Sequence, residues 1–171
     1  MNAIAEVKSP ETLTSAQLVT VHAAWKQASA GRFAPKREEI TPAPIKSALA
    51  WIWMIDVVDG GRDFRFRIAG DRVIQFLGRR YAGHLLSEFQ DEPFFQRMRA
   101  ILELCVRRKE PVAAGPVRSN LKGKEFLEME VVVLPLSEDG RNVTGIFGAL
   151  DVRPAAGAAS GAKVAEGATK A

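Results

Sequence analysis

The chain reads as an α+β protein with an antiparallel sheet, and two features of the sequence carry that reading. Two β-rich segments, 50–58 and 63–69, are separated by little more than Asp59-Gly60-Gly61, the spacing of a hairpin. Three further strand-like segments then follow a helical block in series, joined by turn residues. Strands in hairpins with the helices segregated favour an antiparallel sheet over a doubly wound parallel one.

Each element has its own justification. Residues 1–13 carry no periodic pattern and are expected to be flexible. Thr14 and Ser15 precede Leu18, Val21, His22, Trp25 and Ala28, an amphipathic spacing that predicts a helix over 15–30, stopped by Gly31. After a polar stretch containing Pro35, Thr41-Pro42 offers a cap and a proline at a first helical position, so a short helix should run to about Leu49. Segment 50–58 is aromatic and β-branched and reads as a buried strand. In 63–69, Phe64, Phe66 and Ile68 alternate with Arg65 and Arg67, the period of a strand with one dry and one wet face.

Between Gly70 and Gln90, apolar clusters broken by Gly70, Gly78 and Gly83 predict several short helical turns. Asp91-Glu92-Pro93 opens a longer helix with Phe94, Met98, Ile101, Leu102 and Cys105 on one face, ended by Pro111. Segments 112–119, 125–136 and 142–151 read as strands. From Arg153 onward the chain is Ala, Gly, Lys and Glu without an aromatic residue, too little apolar surface to offset chain entropy. The expected organisation is a flexible 1–13, one folded domain over 14–152 and a disordered tail over 153–171.

Composition agrees with one domain: 171 residues, 47% of them hydrophobic and 26% charged, exclude wholesale disorder and a collagen-like chain. The longest largely apolar runs, 48–55 and 129–136, fall well short of the roughly 18–20 residues of a membrane-spanning helix. Met1 to Pro10 contains Glu6 and Lys8 and lacks the basic start and apolar stretch of a secretory signal, so a cytoplasmic location is expected. Cys105 is the single cysteine, which rules out an intramolecular disulfide and a cysteine metal cluster. The net charge of +4 is mildly basic, so the distribution of charge must decide what it means.

The residues also resemble the PAS superfamily, in particular a small stand-alone bacterial PAS-type family once catalogued as a domain of unknown function. The resemblance lies in Trp25, Pro35-Lys-Arg37 with Ile40 and Pro42, and Ile55-Asp56-Val57. It continues in Phe64-Arg-Phe-Arg-Ile-Ala-Gly70, Gly78-Arg79, Gly83 and Leu134-Pro135-Leu136 ahead of Asp139-Gly140, covering about Leu18 to Val152. The family's usual threonine or serine after the Ala-Gly step is Asp71 here, which could cap the next helix equally well. The resemblance implies a five-stranded antiparallel sheet with the short helices and one long helix on one face, plus an N-terminal amphipathic helix. It also implies a central cavity and a role in sensing, through a small molecule or through protein contacts. Which of these applies is not inherited from the fold.

The chemical inventory is thin for an enzyme, and no catalytic or metal-binding residue is assigned. His22 and His84 lie in helical regions where capping or an interface is the simpler role. PAS haem sensors use a histidine on the long helix, and the segment 92–109 has none. Flavin photoreceptors of this fold need a cysteine on the short helices, whereas Cys105 lies on an apolar face late in the long one and reads as core. No cofactor is named by the sequence. Glu128 and Glu130 alternate with Leu127, Met129 and Val131 and read as a solvated strand face. The arginines at 62, 65, 67, 72, 79 and 80 cluster in sequence and suit a solvated face, an anionic ligand or an acidic partner. Nucleic-acid binding is disfavoured, since Phe64 and Phe66 face away from Arg65 and Arg67.

The expected function is a non-enzymatic sensory or regulatory protein acting in signal transduction through protein contacts, with or without a small molecule in its cavity. Candidate cavity residues are Phe66, Ile68, Phe76, Met98, Leu102, Met129, Val131 and Phe147. The strand around Trp51 and Trp53 is apolar on both faces, so its outer face needs covering by the helix around Trp25, from the same chain or a second copy. Candidate interface residues of a homodimer are therefore Leu18, Val21, Trp25, Trp51 and Trp53. The alternatives are a small α+β pocket enzyme of isomerase or dehydratase type, which needs an acid or base facing the pocket, and a basic nucleic-acid adaptor.

Overall fold

A single antiparallel sheet organises the computed structural model, which describes residues 7–157. Its strands are β1 (Val7–Lys8), β2 (Ile52–Val58), β3 (Asp63–Ala69), β4 (Val112–Arg118), β5 (Leu127–Leu136) and β6 (Gly145–Pro154), in the spatial order β1-β4-β5-β6-β2-β3. The α-helices are α1 (Ala16–Ser29), α2 (Asp71–Leu77) and α3 (Pro93–Arg108). 3-10 turns cover Pro10–Thr12, Ala43–Trp51 and Leu86–Phe89.

The sheet has six strands rather than the five expected. The additional one is β1, whose Val7 and Lys8 pair with Ala114 and Ala113 of β4. Residues 7–13, expected to be flexible, thus form a strand and a 3-10 turn that close an edge of the sheet. At the other end, Arg153 and Pro154 belong to β6 opposite Glu128 and Leu127, and the Ala155 N–H donates to the Phe126 carbonyl at 2.9 Å. The remainder of the expected tail, from 158, lies outside the described residues, as do residues 1–6.

The β2–β3 hairpin turns on Asp59, Gly60 and Gly61, all with positive φ, which is where glycine is needed. The alternation in β3 holds at Phe64, which is buried, and at Arg65 and Arg67, which are exposed. Asp63, at the start of β3, ties the strand to the helical block. It accepts hydrogen bonds from the Ser87 hydroxyl at 2.6 Å and from Arg99 of α3 at 3.0 Å. Burial alone would raise this carboxyl, but those bonds, with the Phe64 and Ser87 N–H groups, hold it below its ordinary value.

Each face of the sheet has its own apolar layer. On the inner face, Trp53, Ile55, Phe64, Met129, Val133, Ile146 and Leu150 pack with Val73 and Phe76 of α2 and with Phe94, Phe95, Ile101, Leu102 and Cys105 of α3. On the outer face, Met54, Val132, Leu134, Phe147 and Ala149 pack with Leu18, Val21 and Trp25 of α1 and with Ile45 and Ala48 of the 43–51 turn. The Trp25 indole N–H donates to the Pro135 carbonyl at 2.8 Å and fixes α1 across β5. The apolar outer face inferred from the Trp51–Met54 run is therefore covered by the chain's own first helix. Gly148 of β6 permits the inner packing: a Cβ there would fall inside the Trp53 indole ring.

Candidate functional site

Between the inner face and helices α2 and α3 lies a cavity of about 80 Å³. Its floor is built by alternate residues of the sheet, including Trp53 and Ile55 of β2, Phe66 of β3, and Met129, Val131 and Val133 of β5. Its wall is Val73 and Leu77 of α2 with Met98, Ile101 and Leu102 of α3. Ile68, Arg79 and Ala82 also line it and are exposed, so the cavity opens between the end of β3 and the loop after α2.

The cavity thus brings together Phe66, Ile68, Met98, Leu102, Met129 and Val131. Phe76 lies outside the lining, in the core layer between α2 and α3, where its ring meets Phe94 edge-on at 5.9 Å. Phe147 is on the opposite face of the sheet, under α1. It has the same parity as Ala149, while Ile146, Gly148 and Leu150 face inward.

The candidate interface residues are also relocated. Leu18, Val21 and Trp25 are buried within the chain, Trp53 is in the cavity floor, and Trp51 is half-buried against the inner core. None of Leu18, Val21, Trp25 and Trp53 presents a surface to a second copy while α1 stays seated.

Four polar features distinguish the cavity. Tyr81 and Arg79 line it, with the Arg79 guanidinium 4.8 Å from the Tyr81 ring centroid and 5.5 Å from that of Phe89. Burial, aided by Glu92 and opposed by Arg79, raises the Tyr81 phenol above its ordinary value, so it stays protonated at neutral pH. Arg97 of α3 lines the same region and donates to the Arg118 carbonyl at 3.2 Å. The Trp53 indole Nε1 is buried and has no hydrogen-bond acceptor among the described residues. Trp53 was separable from an interface by its parity with Ile55.

Glu130 is the largest departure from the sequence reading. It sits between Met129 and Val131 on β5 and, rather than being solvated, is 2% exposed. Its carboxylate accepts from Lys8 Nζ at 2.6 Å, the Thr14 N–H at 2.9 Å, the Thr14 hydroxyl at 3.0 Å and the Ser15 N–H at 2.8 Å. Burial alone would raise its pKa, but these donors hold it below the ordinary carboxylate value. Ser15 is the N-cap of α1 and makes no side-chain cap, and Glu130 of β5 accepts from its backbone N–H at that end of the helix. Its signal in the sequence was a lone acid inside the apolar run 129–136.

The remaining polar residues do not converge. Asp71 occupies the first turn of α2, whose N-cap is Gly70, so it does not cap that helix with its side chain. His84 is half-buried and pairs with Glu88 at 2.9 Å. His22 is buried on α1, and desolvation lowers its pKa. Cys105 is fully buried on α3, which pushes its thiol far up and leaves it protonated. Arg67, with Arg37, pairs with Asp56 on the outer side of the sheet, whereas Arg79 is in the cavity lining, so the arginine cluster is divided between two faces.

Comparison with known proteins gives the class. A family model described as the PAS domain matches residues 13–151, which is most of the chain, and the chain belongs to that family. Two solved structures of the PAS domain of the histidine kinase ThkA, one in selenomethionine form, are similar. Each is 18% identical and covers 59% of this chain and 98% of the other, with a TM-score of 0.44. No curated protein matches the chain. PAS domains are, as a class, sensory and signalling modules that commonly work through protein contacts. No helix among the described residues is long and apolar enough to cross a membrane.

Proposed function

We propose that this PAS domain is a non-enzymatic sensor in which a small molecule in the cavity changes how the N-terminal segment is held, and a protein partner reads that change. The observation that carries the reading is the alternation along β5. Met129 and Val131 line the cavity, while Glu130 between them holds Lys8, Thr14 and Ser15 on the other side of the sheet. A ligand that shifts β5 by filling the space beside Met129 and Val131 would alter the bonds that seat β1 and the start of α1. Two packings of that segment, differing in ligand affinity, are all such a switch requires.

The lining supports binding over catalysis, since it contains no Asp, Glu or His to act as acid or base, and its phenol is pushed away from neutrality. A homodimer remains part of the proposal. With Leu18, Val21 and Trp25 in the core, its contact would use the outward face of α1, where Ala16, Val19 and Ala23 are exposed. A light-scattering mass equal to one chain of 18.7 kDa would remove the dimer from the proposal.

The first experiment is native mass spectrometry with an absorption spectrum on protein purified without added ligand. Excess mass of a small molecule, lost on Met98→Trp, supports a cavity sensor. A clean mass, together with exchange rates at Thr14 and Ser15 that no small molecule alters, counts against ligand gating and leaves an interaction module.

A further inference from the structure

We infer that the cavity takes a small neutral carbonyl compound of about three heavy atoms, whose oxygen accepts the Trp53 indole N–H. This rests on the cavity-sensor reading above and narrows it to one ligand chemistry.

Trp53 is 6% exposed and forms part of the cavity floor, yet its Nε1 is buried without an acceptor among the described residues. A buried donor without an acceptor carries the full cost of its desolvation, so such groups are rare and call for a partner. The indole is also held in place. Its Cε2, the carbon bonded to Nε1, takes the space where a Cβ of Gly148 would stand, so the ring lies over β6 inside the sheet.

The rest of the lining decides the chemistry of that partner. Its nitrogen-bearing side chains, Trp53, Arg79 and Arg97, are all donors without acceptor capacity. Arg97 is engaged at the Arg118 carbonyl and Arg79 lies over the Tyr81 and Phe89 rings, so neither is asked to bind the ligand. Among the described residues no Asp, Glu, Asn, Gln, Ser, Thr or His lines the cavity, which leaves the Tyr81 oxygen and the weakly accepting thioethers of Met98 and Met129. A water or an alcohol on the indole N–H would find little to accept its own O–H. A carbonyl oxygen accepts and brings no donor that needs satisfying. The lining also holds no Lys or Cys to attack a carbonyl carbon, so the compound is held without a covalent bond.

The volume sets the size. About 80 Å³ is roughly half of the ~150 Å³ of an apolar cavity that holds the six carbons of benzene, so about three heavy atoms fill it. A two-carbon aldehyde has that size, with one oxygen for the indole and an apolar remainder for the walls.

The test titrates acetaldehyde, ethanol and propane, matched in heavy atoms, into the full chain and follows the Trp53 indole N–H and the Ile101 and Leu102 methyls by NMR. Acetaldehyde should shift all of these resonances, with a Kd no tighter than about 0.5 mM for so small a ligand. Ethanol should bind about tenfold more weakly than acetaldehyde. Trp53→Phe should weaken acetaldehyde by about tenfold and change propane by less than about twofold, and Met98→Trp should abolish binding of both. The indole resonance of the unsubstituted chain decides the outcome even if Trp53→Phe fails to fold. Acetaldehyde that shifts the methyls but not the indole N–H overturns the inference and leaves the cavity sensor standing, as does ethanol binding equally tightly. Methyls unmoved by any of the three overturn the inference as well. The ligand-gated reading falls on a separate result: acetaldehyde bound in the cavity with amide exchange at Thr14 and Ser15 unchanged.

Discussion

The backbone N–H of Ser15 and the carboxylate of Glu130 are 115 residues apart in the chain and 2.8 Å apart in the structure. That bond, with those from Thr14 and Lys8, makes one buried side chain the point where the N-terminal segment is fastened to the sheet.

Glu130→Gln should therefore destabilise the domain by about 2 kcal/mol in urea unfolding, the range for losing hydrogen bonds to a charged group. Lys8→Met should cost less, about 1 kcal/mol or below, because Lys8 is partly exposed and its pairing is screened. Amide exchange at Thr14 and Ser15 should accelerate in the glutamine variant. Unchanged exchange there would mean that Glu130 does not hold the segment.

Acid should weaken the fold in two stages. His22 has its pKa lowered from 6.5, by burial first, so its contribution is complete above that value and is lost as pH falls below it. Glu130 and Asp63 are lowered from 4.5 and 3.8, so theirs is complete above those values and is lost as pH falls through the lower folded ones. The urea midpoint should be flat from pH 6.5 to the onset of thiol ionisation below 9.0, decline gently under 6.5 and drop steeply under 4.5. Glu130→Gln should flatten the steep limb alone. A midpoint that rises on acidification would contradict the assignment.

The cavity can be altered in both directions. Leu102→Ala should enlarge it and cost about 2–5 kcal/mol, and an added apolar probe should recover part of the loss. Met98→Trp should fill it, with a far smaller effect on stability because Met98 is only half-buried at the wall. Equal destabilisation by the two substitutions would place the free volume elsewhere.

Gly148→Ala should destabilise the fold by about 1–3 kcal/mol, although it adds one methyl group, because the Trp53 ring occupies the space. The near-ultraviolet dichroism of the tryptophans should change with it. A silent substitution would show that Trp53 can move aside without loss.

The elements were legible wherever one residue type alternated cleanly with another. Phe64 and Phe66 against Arg65 and Arg67 define β3, and the apolar spacing from Phe94 to Cys105 defines α3. Orientation was not legible in β6, because Ile146 and Phe147 are both large and apolar and either could face the cavity. β1 was hidden because two residues, Val7 and Lys8, show no period at all, and their pairing is set by β4. Glu130 was read as solvated because its donors lie more than a hundred residues upstream, and no local pattern distinguishes a wet acid from one satisfied across a sheet. The α1 stripe was correctly seen as needing a partner, but periodicity does not say whether that partner belongs to the same chain.

The edge strand Val7–Lys8 sets the smallest piece that can be expressed on its own. The stretch matched by the family begins at residue 13, after β1. A fragment cut at that boundary would uncover the β4 edge at Ala113 and Ala114 and invite pairing between molecules. It would also strip Lys8 from a carboxylate already sealed from water. Fragments for crystallisation or domain fusion should begin ahead of Val7, since those two residues serve as the clasp of a fold whose recognisable signature starts only after them.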